Sequence, residues 1–360
     1  MKKFLFIIQF DSFSKTPIPV IEHLLNNAHH CDVVLLKQKF YKKSWMSNDI
    51  LLLFENIKNK LGIFGVYNKR TTMKFIKDNE YHVAIIGTTY TALIKKIDTH
   101  LKKYKLKTKL ASGYVGALLS NNEESFIKGV QRRGFSDLIW VPGEEAKETI
   151  LSLNIINNKK TKIVNTGLPR FDNLFEQLDE IKSFSKKNII FFEQPTFPKN
   201  KHERIHLVEQ LIHLAIIYKD HNIIIKPRFS EKIGHAHRPK YLLQNILAKI
   251  NNKPNNIKIS YNNIYDLFKE CKLALTISST AGLESLLAGI PTLFISDFCN
   301  NDNLYGSADF NKYNATISFE KLFNKEIPTI NYKPLDKTIT FDGKNTSRLT
   351  QELISLAKNE

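Results

Sequence analysis

The chain has 360 residues, of which 42% are hydrophobic and 24% are charged, and its formal net charge is +18. This length fits two domains of ordinary size, and the composition is that of a soluble globular protein. No apolar run approaches the roughly 18 to 20 residues that a membrane-spanning helix needs, and the three cysteines, which have no metal-ligand spacing, argue against a disulfide scaffold and for a reducing, cytoplasmic setting.

Short apolar runs alternate with helical stretches through the first half of the chain. A polar turn is predicted over Asp11–Lys15, after the first strand. Strands that alternate with helices predict a parallel sheet covered by helices, so we expect a doubly wound domain over residues 1–175. Its predicted strands are Phe4–Phe10, Asp32–Lys37, Val83–Gly87, Thr108–Ser112, Leu138–Val141 and Ile163–Thr166, and its predicted helices are Pro19–Asn27, Ile50–Leu61, Thr71–Asp78 and Glu144–Leu151.

Carboxylates at two places in this half could act as a general base on a substrate hydroxyl. Asp11 follows the first strand, at the edge of the sheet where ligands bind, although a helix N-cap or an Asx-turn is the alternative. Glu123 and Glu124 are the rival bases. They lie in a polar region with Arg132 and Arg133, and a solvated loop is the alternative there.

The positive charge is concentrated in this first half. Residues 1–176 contain 28 Lys and Arg against 16 Asp and Glu, and the densest run, Lys95–Lys109, has seven lysines and one acid. An anionic membrane surface attracts such a run by about 1 kcal/mol per lysine, and a solvated lysine face is the alternative. Arg is scarce and no recognisable module is present, which argues against nucleic-acid binding.

A charged helical segment without a strand, Asp172–Lys187, is predicted to be the linker to a second doubly wound domain at residues 188–340. The amphipathic helix Thr346–Ala357, within residues 341–360, is expected to pack back on the first domain. In the second domain, strands are predicted at Asn188–Phe192, Asn222–Lys226 and Ile257–Ser260, and helices at Glu203–Tyr218, Tyr241–Ile250 and Ile264–Glu270.

The stretch Leu275–Ile295 reads as a buried strand, a hydroxyl-rich turn at Ser278, Ser279 and Thr280, a short helix and a second buried strand. Such a turn places hydroxyls and backbone N–H groups at a helix N-terminus, which suits a phosphate. Glu284, one turn into the helix, could hold a ribose hydroxyl. The alternative is an N-cap with spare serines, but the pattern points to a nucleotide-dependent enzyme.

Two more predicted strand ends carry polar side chains. Lys226 and Arg228 flank a proline and could face a diphosphate or a carboxylate, the arginine through a bidentate fork. Gln194 and Thr196 follow the first strand of the second domain and could donate to a phosphate or an acceptor. A strand that ends in surface charges and a Pro-rich turn are the respective alternatives.

His235 is a further candidate for the phosphate site, since it follows Arg228 within a few residues. With His237 it forms a His-x-His spacing that could bind a metal. No third ligand or carboxylate shell accompanies the pair, so no metal site is predicted.

These motifs resemble those of GT-B glycosyltransferases. The turn at Ser278–Thr280, with the short helix and Ala288–Leu293 after it, is similar to the donor-nucleotide motif of their C-terminal domain. Residues Gly167–Asp172 resemble the Gly-x-Pro-Arg-x-Asp segment that ends the N-terminal domain in relatives of the CDP-glycerol transferases and capsule glycosyltransferases. The pairing of Lys226-Pro227 with Ser278-Ser279 is similar to the His-Pro and Ser-Ser pair of bacterial GT-B sialyltransferases, which use CMP-activated nonulosonic acids.

The resemblance implies an α/β protein with the GT-B fold, in which two doubly wound Rossmann-like domains face a central cleft. It also implies a metal-independent glycosyltransferase without a cofactor, whose co-substrate is a nucleotide-activated sugar. The expected donor is a CMP-activated nonulosonic acid such as sialic, legionaminic or pseudaminic acid, and the expected acceptor is a glycan or lipid-linked glycan of a bacterial capsule or lipopolysaccharide. Alternatives with this fold are a UDP-sugar-dependent glycosyltransferase, a nucleotide-sugar 2-epimerase and a CDP-glycerol-type glycerophosphotransferase; a non-catalytic polyanion- or membrane-binding protein is the alternative outside it.

The resemblance also suggests a role for each candidate residue. Asp11, or its rivals Glu123 and Glu124, would activate the acceptor hydroxyl. Lysine stands at position 226 where the similar families have histidine, so Lys226 or Arg228 would meet the leaving phosphate together with the hydroxyls of Ser278–Thr280. The enzyme would be cytoplasmic, with Lys95–Lys109 docked on the inner membrane.

Overall fold

A computed structural model of the chain describes residues 1–37, 46, 48–88, 92–116, 123–156, 160–194, 197–228, 240–298 and 307–358. Within these ranges the side chains of residues 11, 12, 48, 49, 123–125 and 307–309 are not described. The chain forms two compact units. One contains the residues up to Asp172 and those from Asp336 onward, and the other contains the residues from Asn173 to Leu335 that pack together.

The first unit is built on a seven-stranded sheet in which every pair of neighbouring strands is parallel. The strand order across the sheet is β3-β2-β1-β4-β5-β6-β7. This arrangement confirms the parallel α/β sheet predicted for the first half. The strands are β1 (Lys3–Ile8), β2 (His30–Leu36), β3 (Phe64–Tyr67), β4 (Val83–Gly87), β5 (Lys109–Gly113), β6 (Leu138–Val141) and β7 (Lys162–Asn165).

Helices cover both faces of this sheet. Successive residues of β1 point to opposite faces, and they divide between two hydrophobic clusters: Phe4, Phe6 and Ile8 belong to one, Leu5 and Ile7 to the other. The unit is therefore doubly wound. Its helices are α1 (Asp11–Ser14), α2 (Pro17–Asn26), α3 (Asn48–Glu55), α4 (Lys69–Asp78), α5 (Ala92–Lys103), α6 (Glu123–Arg133) and α7 (Glu144–Ser152), with short 3₁₀ helices at Lys58–Lys60 and Pro169–Phe171.

The second unit has a six-stranded parallel sheet with the order β10-β9-β8-β11-β12-β13. Its strands are β8 (Asn188–Phe192), β9 (Asn222–Lys226), β10 (Ile257–Ile259), β11 (Cys271–Thr276), β12 (Thr292–Ile295) and β13 (Thr316–Ile317). Its helices are α8 (Asp172–Glu176), α9 (Leu178–Ser183), α10 (Lys201–Ile217), α11 (Leu243–Ala248), α12 (Ile264–Glu270), α13 (Thr280–Leu287) and α14 (Phe319–Phe323), with a 3₁₀ helix at Ser307–Tyr313. In the short α15 (Leu335–Thr338), Leu335 belongs to the second unit and the residues from Asp336 onward belong to the first.

The C-terminal helix α16 (Asn345–Leu356) belongs to the first unit, where it packs against α2. Leu349, Leu353 and Ala357 are buried in the same cluster as Phe4 and Phe6 of β1. The chain thus passes through the second unit and returns to complete the core of the first.

Both sheets have a topological switch point, where the chain changes the direction in which it adds strands. In the first sheet this point lies between β1 and β4, and in the second between β8 and β11. Open parallel sheets bind ligands outside the carboxyl ends of the strands at such points. A ligand site is therefore expected at the ends of β1 and β4 or at those of β8 and β11.

Two segments of the first unit are helical where the sequence predicts a turn or leaves a loop as the alternative. Residues Asp11–Ser14, predicted as a polar turn, form α1, and Glu123 and Glu124 begin α6 rather than lying in a solvated loop. Within α6, Val130 is completely buried and packs on Ile139 of β6. This tertiary contact outweighs the local polar composition, which alone predicts a loop.

Candidate functional site

The hydroxyl-rich turn lies at the switch point of the second sheet. β11 ends at Thr276, and Ser279 is the N-cap of α13, where its Oγ accepts a hydrogen bond from the N–H of Ala281 at 3.3 Å. Thr276 ties the turn down, because its Oγ1 accepts from the N–H of Ser279 at 3.2 Å and donates to the carbonyl of Phe192 at 2.8 Å. The turn is therefore fixed to the end of the neighbouring strand β8.

Ser278 has the most informative side chain of this turn. The residue is only 5% exposed, and its Oγ has no hydrogen-bond partner among the residues that the structure describes. A buried polar atom without a partner costs about 1–3 kcal/mol. Ser278 directly precedes the N-cap of α13, so this unsatisfied hydroxyl belongs to the turn and not to the helix.

Helix α13 packs closely on the sheet. A Cβ added to Gly282 would lie 2.7 Å from Cε1 of Phe294 and 2.8 Å from Cγ2 of Thr276, so glycine alone allows this approach. Ser285, one turn further on, hydrogen-bonds to the carbonyl of Gly282 at 2.9 Å and to the hydroxyl of Thr292 at 2.8 Å. These contacts anchor the helix to both β11 and β12.

The other members of the motif differ in their exposure. Thr280, the first residue of α13, is exposed, so its hydroxyl is accessible to a ligand. Glu284 is only 4% exposed. Its predicted role as a ribose ligand stays a prediction.

Lys226 lies beside the turn in the sheet. The register pairs Phe192 of β8 with Lys226 of β9 on one side and with Thr276 of β11 on the other. Neighbouring strands lie about 4.8 Å apart, so the ends of β9 and β11 are separated by roughly 10 Å. Lys226 and the turn at Ser278–Thr280 thus lie at the ends of the two strands that flank β8.

Lys226 is half-buried and its Nζ donates to the carbonyl of Pro227 at 3.3 Å, whereas Arg228 is exposed. Both cations therefore lie at the carboxyl edge of the sheet. Gln194, after β8, is half-buried and contributes its carbonyl to a hydrogen bond from Arg204 at 3.3 Å. Thr196 and His235 lie outside the described residues.

A buried ion pair that the sequence did not suggest supports these loops. Glu193, the first residue after β8, binds Arg204 of α10 with 2.7 Å between Oε1 and Nη1. Its other oxygen accepts the backbone N–H of Arg228 at 3.2 Å. The sequence signal for this ion pair is that Arg204 lies on the same face of α10 as Leu207 and Leu211.

At the switch point of the first sheet, Gln9 and Thr88 follow β1 and β4. The Thr88 hydroxyl donates to the side-chain oxygen of Gln9, and the Gln9 N–H donates to the carbonyl of Gly87 at 2.9 Å. Sequence reasoning missed this polar pair, although each residue directly follows a buried strand. Asp11 is two residues beyond Gln9 and begins α1.

The three predicted base candidates are located only by their backbones. Asp11, Glu123 and Glu124 each lie in the first two residues of a helix, and their side chains are not described. The identity of the general base stays a prediction. Arg133, from the same polar region, stacks over the ring of Tyr114 at 4.2 Å and donates to the carbonyl of Gly113 at 3.3 Å, which is a structural role.

The Gly-x-Pro-Arg-x-Asp segment holds the C-terminal helix. Asp172 accepts the N–H groups of Asn345 and Thr346, at 3.1 and 2.7 Å, at the start of α16. Gly167 has a φ of +69°, and the amide of the buried Asn345 donates to the carbonyl of Leu168 at 3.3 Å. The segment thus joins two parts of the first unit that are far apart in sequence.

Cysteine chemistry is excluded at the two cysteines that the structure describes. Burial raises the pKa of both the Cys31 and Cys271 thiols to about 12, with the charge of Asp32 adding to the effect at Cys31. Neither residue can supply a thiolate near neutral pH. Across the described ranges, no cluster of three His, Cys, Asp or Glu has a geometry that could hold a metal ion, and no helix is long and apolar enough to cross a membrane.

A family model described as "Putative glycosyltransferase (DUF6716)" matches residues 68–337. No curated protein matches the sequence. Among solved structures, the UDP-GlcNAc 2-epimerase of Methanocaldococcus jannaschii, in complex with UDP-GlcNAc and UDP, is similar with a TM-score of 0.66 and 18% identity, over 98% of this chain and 99% of that one.

Two glycosyltransferase structures are also similar. Arabidopsis thaliana UGT89C1, complexed with UDP, has a TM-score of 0.62 at 10% identity, over 98% of this chain and all of that one. Acinetobacter baumannii MurG has a TM-score of 0.56 at 10% identity, over 99% and 100% of the two chains. Identities this low establish the fold alone. The structural similarity confirms the prediction of two Rossmann-like domains with the GT-B fold.

Proposed function

Because the chain belongs to the family described as "Putative glycosyltransferase (DUF6716)", we propose that it is a glycosyltransferase whose donor is a nucleotide-activated sugar. The observation that carries this proposal is the turn at Ser278–Thr280. It combines a helix N-terminus, a buried hydroxyl with no partner among the described residues, and a place at the switch point of the second sheet.

The leaving nucleotide phosphate would bind between this turn and the end of β9. Negative charge develops on the leaving phosphate as the glycosidic bond breaks, so preorganised donors near it lower the barrier. Lys226 and Arg228 supply positive charge, Ser278 and Thr280 supply hydroxyls, and α13 supplies backbone N–H groups. Because side-chain cations can neutralise the phosphate, the proposed transfer is metal-independent and needs no cofactor.

For the donor we propose a CMP-activated nonulosonic acid, on the strength of the paired Lys226-Pro227 and Ser278-Ser279 motifs. A UDP-sugar is the second candidate. It is supported by the similar structures that contain UDP-GlcNAc or UDP. The two candidates differ in the base and in the number of phosphates, so nucleotide binding distinguishes them directly.

The acceptor hydroxyl would be activated in the first unit. Asp11 is our first choice for the base, since it follows β1 next to the switch point of the first sheet. Glu123 and Glu124 at the start of α6 are its rivals. We propose a glycan or a lipid-linked glycan of a bacterial surface polysaccharide as the acceptor, with the exposed lysines of Lys95–Lys109 held on the anionic inner face of the cytoplasmic membrane.

Thermal unfolding in the presence of millimolar CMP, CDP or UDP tests the donor site. A nucleotide at 100 times its Kd stabilises the folded state by about 2.7 kcal/mol, so the preferred nucleotide should raise the Tm measurably. CMP should raise the Tm most if the donor is a nonulosonate, and UDP should raise it most if the donor is a hexose. If none of the three shifts the Tm, the proposed function is wrong.

A nucleotide-sugar 2-epimerase is a specific second function, because one similar structure is a UDP-GlcNAc 2-epimerase. Incubation with UDP-GlcNAc in deuterated water separates the two activities. Epimerisation removes the proton on C2 of the sugar and replaces it with one from the solvent, whereas glycosyl transfer leaves the C2 proton in place. Deuterium at C2, read by NMR, would support the epimerase.

A further inference from the structure

The ion pair between Glu193 and Arg204 is almost completely buried. The two side chains are 2% and 1% exposed, and 2.7 Å separates Oε1 of Glu193 from Nη1 of Arg204. Burying two charges is expensive, and a hydrophobic pair of similar volume is often as stable or more so. The pair therefore needs an explanation other than stability.

Its hydrogen bonds provide that explanation. Arg204 donates to the carbonyl of Pro198 at 2.9 Å, to that of Tyr241 at 2.7 Å and to that of Gln194 at 3.3 Å. The second oxygen of Glu193 accepts the N–H of Arg228 at 3.2 Å. Every one of these bonds fixes a backbone group of a loop, which an apolar pair could not do.

Two of the loops that are fixed in this way follow β8 and β9, next to the proposed phosphate site. Gln194 and Pro198 belong to the loop after β8, and Arg228 follows β9. Tyr241 lies further along the chain. Because Glu193 binds the backbone of Arg228 and Arg204 binds that of Tyr241, the ion pair holds the chain at both places. The stretch between them that contains residues 229–239 is outside the described residues.

We propose that Glu193 and Arg204 are positioning residues for nucleotide binding: by holding the main chain at Arg228 and the loop after β8, they place the Arg228 guanidinium at the donor phosphate. This inference rests on the proposed function. Neither residue touches the nucleotide, and both act through backbone groups. A bidentate guanidinium loses much of its binding strength when it is displaced, because its fork must match the phosphate oxygens.

Isothermal titration with CMP, CDP and UDP tests the proposal on four proteins: wild type, Glu193→Gln, Arg228→Ala and the double variant. Gln keeps the shape of Glu193 but removes the charge that binds Arg204. We expect Glu193→Gln to weaken the best-bound nucleotide at least fivefold in the wild-type background. In the Arg228→Ala background it should weaken binding less than twofold, because the guanidinium that it positions is already absent.

A control ion pair is available in the same unit. Glu180 of α9 and Lys269 of α12 form an ion pair of 2.6 Å in which Glu180 is half exposed, and the hydrogen bonds described for this pair do not involve the loop after β8 or the end of β9. Glu180→Gln should leave nucleotide affinity unchanged. All titrations are made well below the thermal midpoint of each variant, with the fold verified by circular dichroism.

The outcomes separate this inference from the proposed function. If the wild type binds none of the three nucleotides, the proposed function fails. If it binds one and Glu193→Gln binds equally well, or loses affinity equally in both Arg228 backgrounds, the positioning role is refuted. Should Glu193→Gln not fold, Arg204→Lys replaces it, since it keeps the charge but loses the fork that reaches Gln194 and Tyr241, and the same comparison decides.

Discussion

Ser278 and Ser285 lie seven residues apart in the same motif and both are buried, but they differ in whether their hydroxyls are hydrogen-bonded. The Ser285 hydroxyl bonds to the carbonyl of Gly282 and to the hydroxyl of Thr292. The Ser278 hydroxyl has no partner among the described residues. Burial of a polar atom is costly unless a partner is present, so the Ser278 hydroxyl does not stabilise the unliganded protein.

Replacing Ser278 with alanine should therefore separate binding from stability. The change removes an unsatisfied hydroxyl, so the free energy of unfolding should stay the same or rise, while nucleotide affinity falls about tenfold through the loss of about 1.4 kcal/mol. Urea unfolding and isothermal titration measure the two quantities. Ser285→Ala is the matched control: it should lower the free energy of unfolding by about 1 kcal/mol and leave affinity nearly unchanged.

At the scale of elements, α13 depends on the close approach at Gly282. Alanine normally favours a helix over glycine by about 1 kcal/mol. Here the added Cβ would lie within 2.9 Å of two atoms of the Phe294 ring and within 2.8 Å of Thr276. Gly282→Ala should thus destabilise the protein by about 1–3 kcal/mol, as overpacking does.

Gly129 of α6 is the control for this change, because its added Cβ would lie 3.3 Å from the nearest atom, Nη1 of Arg133, rather than 2.7 Å as at Gly282. Gly129→Ala should therefore cost less stability than Gly282→Ala in the same urea titration. Equal effects of the two changes would contradict the packing argument for α13.

The start of α16 permits a prediction about the Gly-x-Pro-Arg-x-Asp segment. Asp172 accepts two backbone N–H groups of that helix, so Asp172→Ala should lower the free energy of unfolding by about 1–2 kcal/mol. Hydrogen exchange should become faster in α16. The exposed Asp179 of α9 is the control, and its replacement by alanine should change stability by less than about 0.5 kcal/mol. A loss of nucleotide affinity at unchanged stability would instead assign the segment to binding.

Several elements could be predicted because their signal is local. The strands Val83–Gly87, Leu138–Val141, Asn188–Phe192 and Asn222–Lys226 have the bounds that their apolar runs indicate. The edge strands β3 and β13 were not predicted, because they are short and only partly apolar. Helix α5 was obscured by its lysines, although Leu93, Ile94, Ile97 and Leu101 form its buried side.

The same distinction between local and tertiary signals applies to the candidate site. Ser278–Thr280, Lys226 and Arg228 were found because each group directly follows a predicted strand, and parallel strands bring their ends together. Glu193 and Arg204 are eleven residues apart and become partners only when α10 packs on the sheet. Their pairing follows from tertiary structure, which neither composition nor spacing encodes.

At the scale of the whole molecule, the excess positive charge has a defined location on the first unit. Eight exposed lysines of α4, α5 and the loop after α5 are called the lysine face: Lys74, Lys77, Lys95, Lys96, Lys102, Lys103, Lys105 and Lys107. Asp98 pairs with Lys102 at 2.7 Å. Tyr104, 40% exposed, lies among these lysines, with the Nζ atoms of Lys77 and Lys103 at 4.6 and 5.5 Å from its ring. Lysines around an exposed tyrosine suit the interface of an anionic bilayer.

This arrangement predicts binding to vesicles that contain phosphatidylglycerol and not to vesicles of phosphatidylcholine alone. Each lysine near the surface contributes about 1 kcal/mol, so the triple change of Lys77, Lys103 and Lys105 to alanine should lower the partition coefficient about 100-fold in sedimentation assays. The control removes the same charge from the second unit, at the exposed Lys249, Lys253 and Lys258. Equal losses in the two triple variants would show that net charge alone drives binding. No binding of the wild type to either vesicle would mean that the lysine face is a solvated surface, since the attraction to an anionic bilayer depends on these lysines being close to it.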